Sequence, residues 1–284
     1  DCLLSRGLGD VYKRQEYMEN NPEEFGKTAG LVDMAEFPKW IIYEDENFLA
    51  LNKPGWLVCH PSKNGPLSSL VGAARIYLGA DTLHPASRLD RETSGVVVIA
   101  KNYAAASKAQ KAVSMPGAVK KTYLAFMEGR LGATATVSQP LADDKNSLVS
   151  IKTCCAVQKP SAKSATTVFR PLSHSARGGR ELTLCEVGLL TGRKHQIRAH
   201  AQWLGHCVAG DKIYGPDETI YLDFVEKGFT PEMAEVLPIK RQALHAAAAD
   251  FGDAVPELRL RAPLPADLRE FAERYGIEVP EKYL

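Results

Sequence analysis

Long apolar stretches are missing from this sequence. No run among its 284 residues approaches the roughly 20 that a membrane-spanning helix needs, and no secretory leader is visible. Cysteine is sparse. The six, Cys2, Cys59, Cys154, Cys155, Cys185 and Cys207, form no C-x-x-C pair and no regular framework, so a reduced, cytoplasmic protein is expected. Nucleotide-cofactor signatures are also lacking. There is no G-x-G-x-x-G after a strand, no P-loop and no G-x-S-x-G elbow, and no cofactor is expected. His195, His200 and His206 are spaced by five and six residues, not as the i,i+4 pair of a helical zinc site, so no metal is expected either. Internal repeats and low-complexity linkers are absent.

Net charge is nearly absent too, at +1, but its distribution is uneven. Residues 84–130 carry eight Lys and Arg against three Asp and Glu, and residues 159–212 carry nine against three. These two basic stretches sit on an acidic remainder. The pattern fits either one electropositive face toward an anionic partner or lysines scattered in solvent.

The first fifteen residues, DCLLSRGLGDVYKRQ, resemble translated adapter sequence and are set aside as a non-native artefact. Residues 16–36 are acidic and lack apolar periodicity, which predicts a loose lead-in. Residues 37–284 are expected to form one domain.

Within that domain, WIIYEDENFLALNKP predicts a hairpin, Lys53-Pro54-Gly55 a turn, and WLVCHP (56–61) a further strand. SSLVGAARIYLG predicts a helix ending at Gly79. GVVVIAK (95–101) reads as a strand buried on both faces. Asn102 is placed to cap a helix through about Ser114, stopped by Pro116-Gly117. Residues 119–129 predict a strand, and SATTVFRPL and RELTLCEVGLL predict a strand pair joined by the turn at 177–180. GRKHQIRAHAQWLG (192–205) predicts a helix closed by Gly205. A helix at 231–236, a strand near 257–261 and a helix at 265–275 follow. Strands and helices alternate without strict βαβ order. The expected class is α+β, a mixed and largely antiparallel central sheet flanked by helices.

Three clusters could carry chemistry. In Arg88-Leu89-Asp90-Arg91, a guanidinium near Asp90 would keep it ionised, which suits a nucleophile; an exposed ion pair fits the same letters. Tyr123 shares a strand face with Lys121, so it is either a base-stacking aromatic beside a phosphate-binding lysine or a half-buried sheet residue. In LLTGRKHQIRAH, Arg193 and Lys194 stand at a predicted helix start suited to an anion, and Arg198 lies beside the apolar stripe, able to reach into a cleft.

Four ordered segments together resemble the RluA-type family of RNA pseudouridine synthases. They are YEDENFLALNKPGWLVCHPS (43–62), SRLDRETSGVVVIAKN (87–102), KKTYLAFMEG (120–129) and TGRKHQIRAHAQWLGHCVAGDKIYG (191–215), and RQALHAAAADF (241–251) fits as well. The resemblance implies a pseudouridine synthase fold with a catalytic cleft. It also implies a bacterial cytoplasmic isomerase that acts, as a monomer and without cofactor or metal, on a uridine of ribosomal or transfer RNA. It makes Asp90 the essential catalytic carboxylate, Tyr123 the aromatic against the flipped uracil, and Arg198 the partner of Asp90. Arg88 becomes the residue that helps displace the base. Lys121, Arg193, Lys194 and His195 join it as expected RNA contacts, and Arg91 is expected to make either a phosphate or a structural contact. One departure is Ser87, where many relatives have histidine. A hydrolase with paired carboxylates would need Glu92 beside Asp90, and Glu92 is expected to face away.

Overall fold

Alternating apolar runs become the strands of one large sheet in the computed structural model, which describes residues 30–60, 65–115 and 117–284. The chain opens with β1 (Ile41–Glu44), β2 (Phe48–Lys53), α1 (Leu70–Leu78), β3 (His84–Pro85), β4 (Ser94–Ala100) and α2 (Tyr103–Ser114). It continues with β5 (Lys120–Glu128), β6 (Ala135–Val137), β7 (Leu141–Asp143), β8 (Thr153–Cys155), β9 (Thr167–Ser175) and β10 (Leu182–Leu189). The last third holds α3 (Gln196–Trp203), α4 (Thr219–Lys227), α5 (Pro231–Val236), β11 (Leu244–Asp250), β12 (Arg259–Arg261) and α6 (Ala266–Tyr275). The main sheet has ten strands in the order β1-β2-β4-β11-β5-β10-β9-β6, with β3 on β4 and β12 on β11, while β7 and β8 pair separately. β4 and β11 run parallel, and the other strand pairs are antiparallel, so the α+β expectation holds.

Both faces of the sheet are covered, which explains why β4 is buried along its whole length. Val96 and Val98 pack with Ala105 and Ala109 of α2, whereas Val97 and Ile99 pack with Leu70 and Ala74 of α1. The same two-residue alternation splits β5. Leu124 and Phe126 meet Leu268 and Phe271 of α6, and Tyr123 and Ala125 meet Ile197 and Ala201 of α3. Each fully buried Val, Leu, Ile or Phe contributes about 1.5–3 kcal/mol, so the two layers fix the height of β4 and β5 relative to the helices.

Local signals behave as their chemistry requires. Ser69 accepts from the Gly72 amide at 3.1 Å to start α1, and Asn102 accepts from the Ala105 amide at 2.9 Å to start α2. α1 and α6 end at Gly79 and Gly276, both left-handed. Pro116, the predicted stop of α2, lies outside the described residues, as do residues 1–15. The lead-in, residues 16–36, is described only from residue 30. There Val32 is buried and donates to the Leu67 carbonyl at 2.8 Å, so this end is tied down rather than loose.

Two expectations need correction, and some elements lie outside the expectations. The expected strand WLVCHP is described only through residue 60, and residues 56–60 form no strand; Val58 makes a single bridge to Ser69, because Lys53 Nζ draws the Pro54 and Leu57 carbonyls inward and curls the chain. The helix expected from Gly192 begins at Gln196, because the Gln196 side chain caps the Arg193 amide and His195 is left-handed. The helix α4 and the strand β11 were not anticipated. β11 reads LHAAAAD, a composition of helix formers, and is a strand because it fills the slot between β4 and β5.

Candidate active site

Asp90 stands on the loop that leads into β4, and that loop is tied at several points. Fully buried Lys53 donates to the Arg91 carbonyl at 2.8 Å, as well as to Pro54 and Leu57 at 2.8 and 2.7 Å. Three carbonyls match the three donors of an ammonium, while burial pulls the Lys53 pKa down to about 7. Arg241 donates to the Glu92 carbonyl at 2.9 Å, Gln242 to the Thr93 hydroxyl at 2.6 Å, and Ser94 pairs with His245 at 3.0 Å. The β4–β11 contact completes the tether. Gly95 has φ of 111°, and a β-carbon there would lie 2.2 Å from the Ala246 carbonyl oxygen, so only glycine allows this approach.

Arg198, on α3, reaches Asp90 as the sequence anticipated, with Nη1 3.0 Å from Oδ2. It is also gripped by Asp211, through Nε–Oδ2 at 2.5 Å and Nη2–Oδ1 at 2.8 Å. Asp211 Oδ1 takes the Ile213 and Tyr214 amides as well, at 2.9 and 3.0 Å. Burial is the largest influence and would raise the pKa of both carboxyls, but the Arg198 charge together with the hydrogen bonds and polar groups around each holds both below the usual range. Burial disfavours the Arg198 cation, yet Asp211 and then Asp90 raise its pKa above its ordinary value. The Asp90 side chain remains 33% exposed, whereas that of Asp211 is fully covered. A carboxylate whose ionised form is favoured therefore sits at a surface opening, held by one oxygen.

Tyr123 is buried on the same sheet face as Lys121, and both line a small recess with Ser87, Leu89 and Ala246. Burial and then the nearby Asp90 charge raise the Tyr123 hydroxyl, so it is neutral at neutral pH. Burial also lowers the pKa of Lys121. Arg88 is exposed beside His60, whose pKa is lowered by burial and then by the Arg88 charge. Arg193 and Lys194 are exposed on the turn before α3, and Arg193 Nε donates to the Ser164 carbonyl at 3.1 Å.

Two of the predicted RNA contacts are placed differently. His195 is turned inward, with Nδ1 3.0 Å from the Tyr214 hydroxyl and Nε2 4.0 Å from Asp90 Oδ1. Arg91 lines a cavity of about 730 Å³ together with Trp56, Glu92, Phe229 and Arg241, and Asp90, Tyr123 and Arg198 do not line it. Glu92 binds Lys212 Nζ at 2.6 Å and the Gln242 amide at 3.2 Å, so it has partners other than Asp90. Among the described residues no group of three or more His, Cys, Asp and Glu could hold a metal ion, and no helix is long and apolar enough to cross a membrane.

Asp211, Tyr214 and Lys53 were not singled out from the sequence. Asp211 and Tyr214 lie within the segment 191–215, where a D-x-x-Y turn ahead of a glycine was the available signal. The Tyr214 hydroxyl accepts from the Thr153 amide at 2.9 Å, and the Arg198 guanidinium stacks 4.9 Å from its ring centre.

Comparison with known proteins bears on this geometry. The sequence profile of the family described as RNA pseudouridylate synthase matches residues 47–203. An uncharacterized RNA pseudouridine synthase of Mycoplasma pneumoniae is 38% identical over 194 residues, which cover 68% of this chain and 60% of that protein. Ribosomal large subunit pseudouridine synthase D of Vibrio cholerae is 32% identical over 244 residues, 83% of this chain and 70% of that protein. Among solved structures, human RNA pseudouridylate synthase domain containing 4 superimposes with a TM-score of 0.66 at 23% identity, covering 87% of this chain and 97% of that one, which speaks to the fold.

Proposed function

Because this chain belongs to the RNA pseudouridylate synthase family, within its RluA-type branch, we propose that it isomerises a specific uridine to pseudouridine in ribosomal or transfer RNA, with Asp90 as the working carboxylate. The family's members are isomerases. The observation that carries the mechanistic part is the ionised Asp90 at an opening, with Oδ2 held by Arg198 and Oδ1 without a hydrogen bond among the described residues.

The reaction breaks the bond between uracil N1 and the sugar, turns the base, and joins carbon 5 to the same sugar carbon. A proton leaves carbon 5 and one is gained at N1, with no net redox change. The base must first leave its stack, which costs a few kcal/mol. Arg88, exposed at the rim, is suited to fill the vacated position. Tyr123 supplies a neutral aromatic face for the uracil. Asp90 either attacks the sugar or removes a proton from it, and both roles require the ionised form that Arg198 maintains. Lys121, Arg193 and Lys194 supply positive charge for phosphates, and Arg91 a further contact outside the Asp90 opening. We place the enzyme in the cytoplasm, acting as a monomer through residues 37–284.

The decisive experiment is a pseudouridine map. Total RNA from a host lacking its own enzymes of this type is treated with the wild type or with Asp90→Asn, and carbodiimide-induced reverse-transcription stops are compared. A stop that requires Asp90 is the expected result and names the substrate position. Stops that are equally strong with Asp90→Asn, or none with either protein, would overturn the proposal.

A further inference from the structure

Among the described non-glycine residues, His195 alone has positive φ, at 55°. A residue with a β-carbon is held in that region only when its surroundings over-determine it. Here the backbone and the ring are both fixed. Gln196 Oε1 accepts from the Arg193 amide at 3.0 Å and from the Thr191 hydroxyl at 2.8 Å, which sets the turn. The ring meets Tyr214 edge-on, with centroids 5.7 Å apart, and its Nδ1 pairs with the Tyr214 hydroxyl. Its side chain is only 8% exposed, which suits an internal partner better than a strand of RNA.

The tautomer follows from the neighbours. The Tyr214 hydroxyl already accepts the Thr153 amide, and the Thr153 hydroxyl donates to the Lys194 carbonyl at 3.3 Å. The Tyr214 proton can then go to His195 Nδ1 or to Thr153 Oγ1, which is 3.0 Å away. The first choice puts a hydrogen on Nε2, facing the Asp90 carboxylate; the second puts a lone pair there. Electrostatics select the first. The charged groups acting on His195 are Arg198, Asp90, Lys194 and Asp211. Burial, then the Arg198 charge, pull the imidazole down to about 4, so it is neutral at neutral pH.

Resting on the reading of Asp90 as the working carboxylate, we propose that His195 is a positioning residue rather than an RNA contact. Its Nε2–H closes on Asp90 Oδ1 when RNA is bound and sets the carboxylate rotamer, with Tyr214 fixing the ring. The present 4.0 Å separation is too long for a hydrogen bond, and such contacts commonly tighten only in the substrate complex. Arg198 thus holds one oxygen by charge, while His195 steers the other without adding a second cation that would blunt its reactivity.

Two variants test this. Asparagine tolerates the left-handed backbone but cannot reach Asp90, and glycine removes the strain altogether. His195→Asn should slow single-turnover pseudouridine formation by about 10–100-fold, the range seen when the hydrogen-bonding partner that orients a metal ligand is removed. RNA affinity and Tm should be nearly unchanged. The acid limb of the rate should move to higher pH, because Asp90 loses a donor that favours its ionised form. A His195→Gly variant at the wild-type rate would overturn the proposal and leave only a turn. So would weakened RNA binding at an unchanged single-turnover rate. Ring ¹⁵N spectra of the free protein supply a readout that needs no activity. Nε2–H, with a resonance that shifts in Asp90→Asn, is expected; Nδ1–H, or no response to Asp90→Asn, would overturn the pairing even where the synthase reading stands.

Discussion

Arg198 donates two hydrogen bonds to Asp211, at 2.5 and 2.8 Å, and one to Asp90, at 3.0 Å. The asymmetry separates the roles of the two carboxylates. Asp211 is fully covered, accepts two further backbone amides, and anchors the guanidinium. Asp90 leans on that anchored cation from a loop and keeps one oxygen available. The next residue, Lys212, binds Glu92 at 2.6 Å, so two consecutive side chains reach the Asp90–Glu92 loop, one directly and one through Arg198.

This arrangement predicts a contrast in stability. Arg198→Met would leave Asp211 as a buried, unpaired charge and should destabilise the fold by about 3–5 kcal/mol in urea unfolding. Asp90→Asn leaves the Arg198–Asp211 pair intact and acts at a partly exposed site, so its cost should stay below about 1 kcal/mol. Equal costs for the two variants would contradict the anchoring role of Asp211.

Acid sensitivity should come in part from His245. It is buried, its Nε2 pairs with the Ala262 carbonyl and its Nδ1 with Ser94, and burial pulls its pKa down to about 4. The unfolded chain, with an ordinary value near 6.5, binds the proton first as pH falls. The stabilisation from a neutral His245 is therefore complete above pH ~6.5 and is lost toward pH ~4, by up to roughly 3 kcal/mol. Urea unfolding of wild type and His245→Gln between these pH values should show the steeper loss in the wild type.

The exposed turn before α3 should act through charge alone. Arg193→Gln with Lys194→Gln should weaken RNA binding and reduce the slope of log affinity against log salt by roughly 1–2, as expected for two lost phosphate contacts to a single strand. The single-turnover rate at saturating RNA should not change. An unchanged salt slope would remove both residues from the RNA interface.

Gly95→Ala tests the tether between β4 and β11. Both the positive φ and the 2.2 Å approach to the Ala246 carbonyl oppose a β-carbon, so the variant should lose more than about 1 kcal/mol. Because Gly95 follows the Asp90 loop, activity should fall with it. A Tm equal to that of the wild type would refute the close approach.

Asp90, Tyr123 and Arg198 were legible because each sits in a contiguous motif whose letters are unusual together. The ends of α1 and α2 were legible because a serine or asparagine cap acts within three residues. β11 was not, because an alanine-rich stretch has helical propensity and becomes a strand only where neighbouring strands leave a slot. The inward turn of His195 was hidden as well, since a histidine beside Arg193 and Lys194 reads as one more basic residue until its backbone conformation is seen.

The sequence by itself determined the family, the α+β class and the basic character of the turn before α3, and it singled out Asp90 as the candidate carboxylate. These depend on residue identity and on spacing over a few positions. Only the tertiary structure decided that Asp211 anchors Arg198 and that Lys53, Lys212 and Arg241 tether the Asp90–Glu92 loop. Lys212 and Glu92 are 120 residues apart in the chain, and Thr153 and Tyr214 are 61 apart. Whether two such groups meet depends on how sheet and helices pack across the whole domain, because hydrogen bonds and buried ion pairs act over about 3 Å and no local pattern specifies so distant a neighbour.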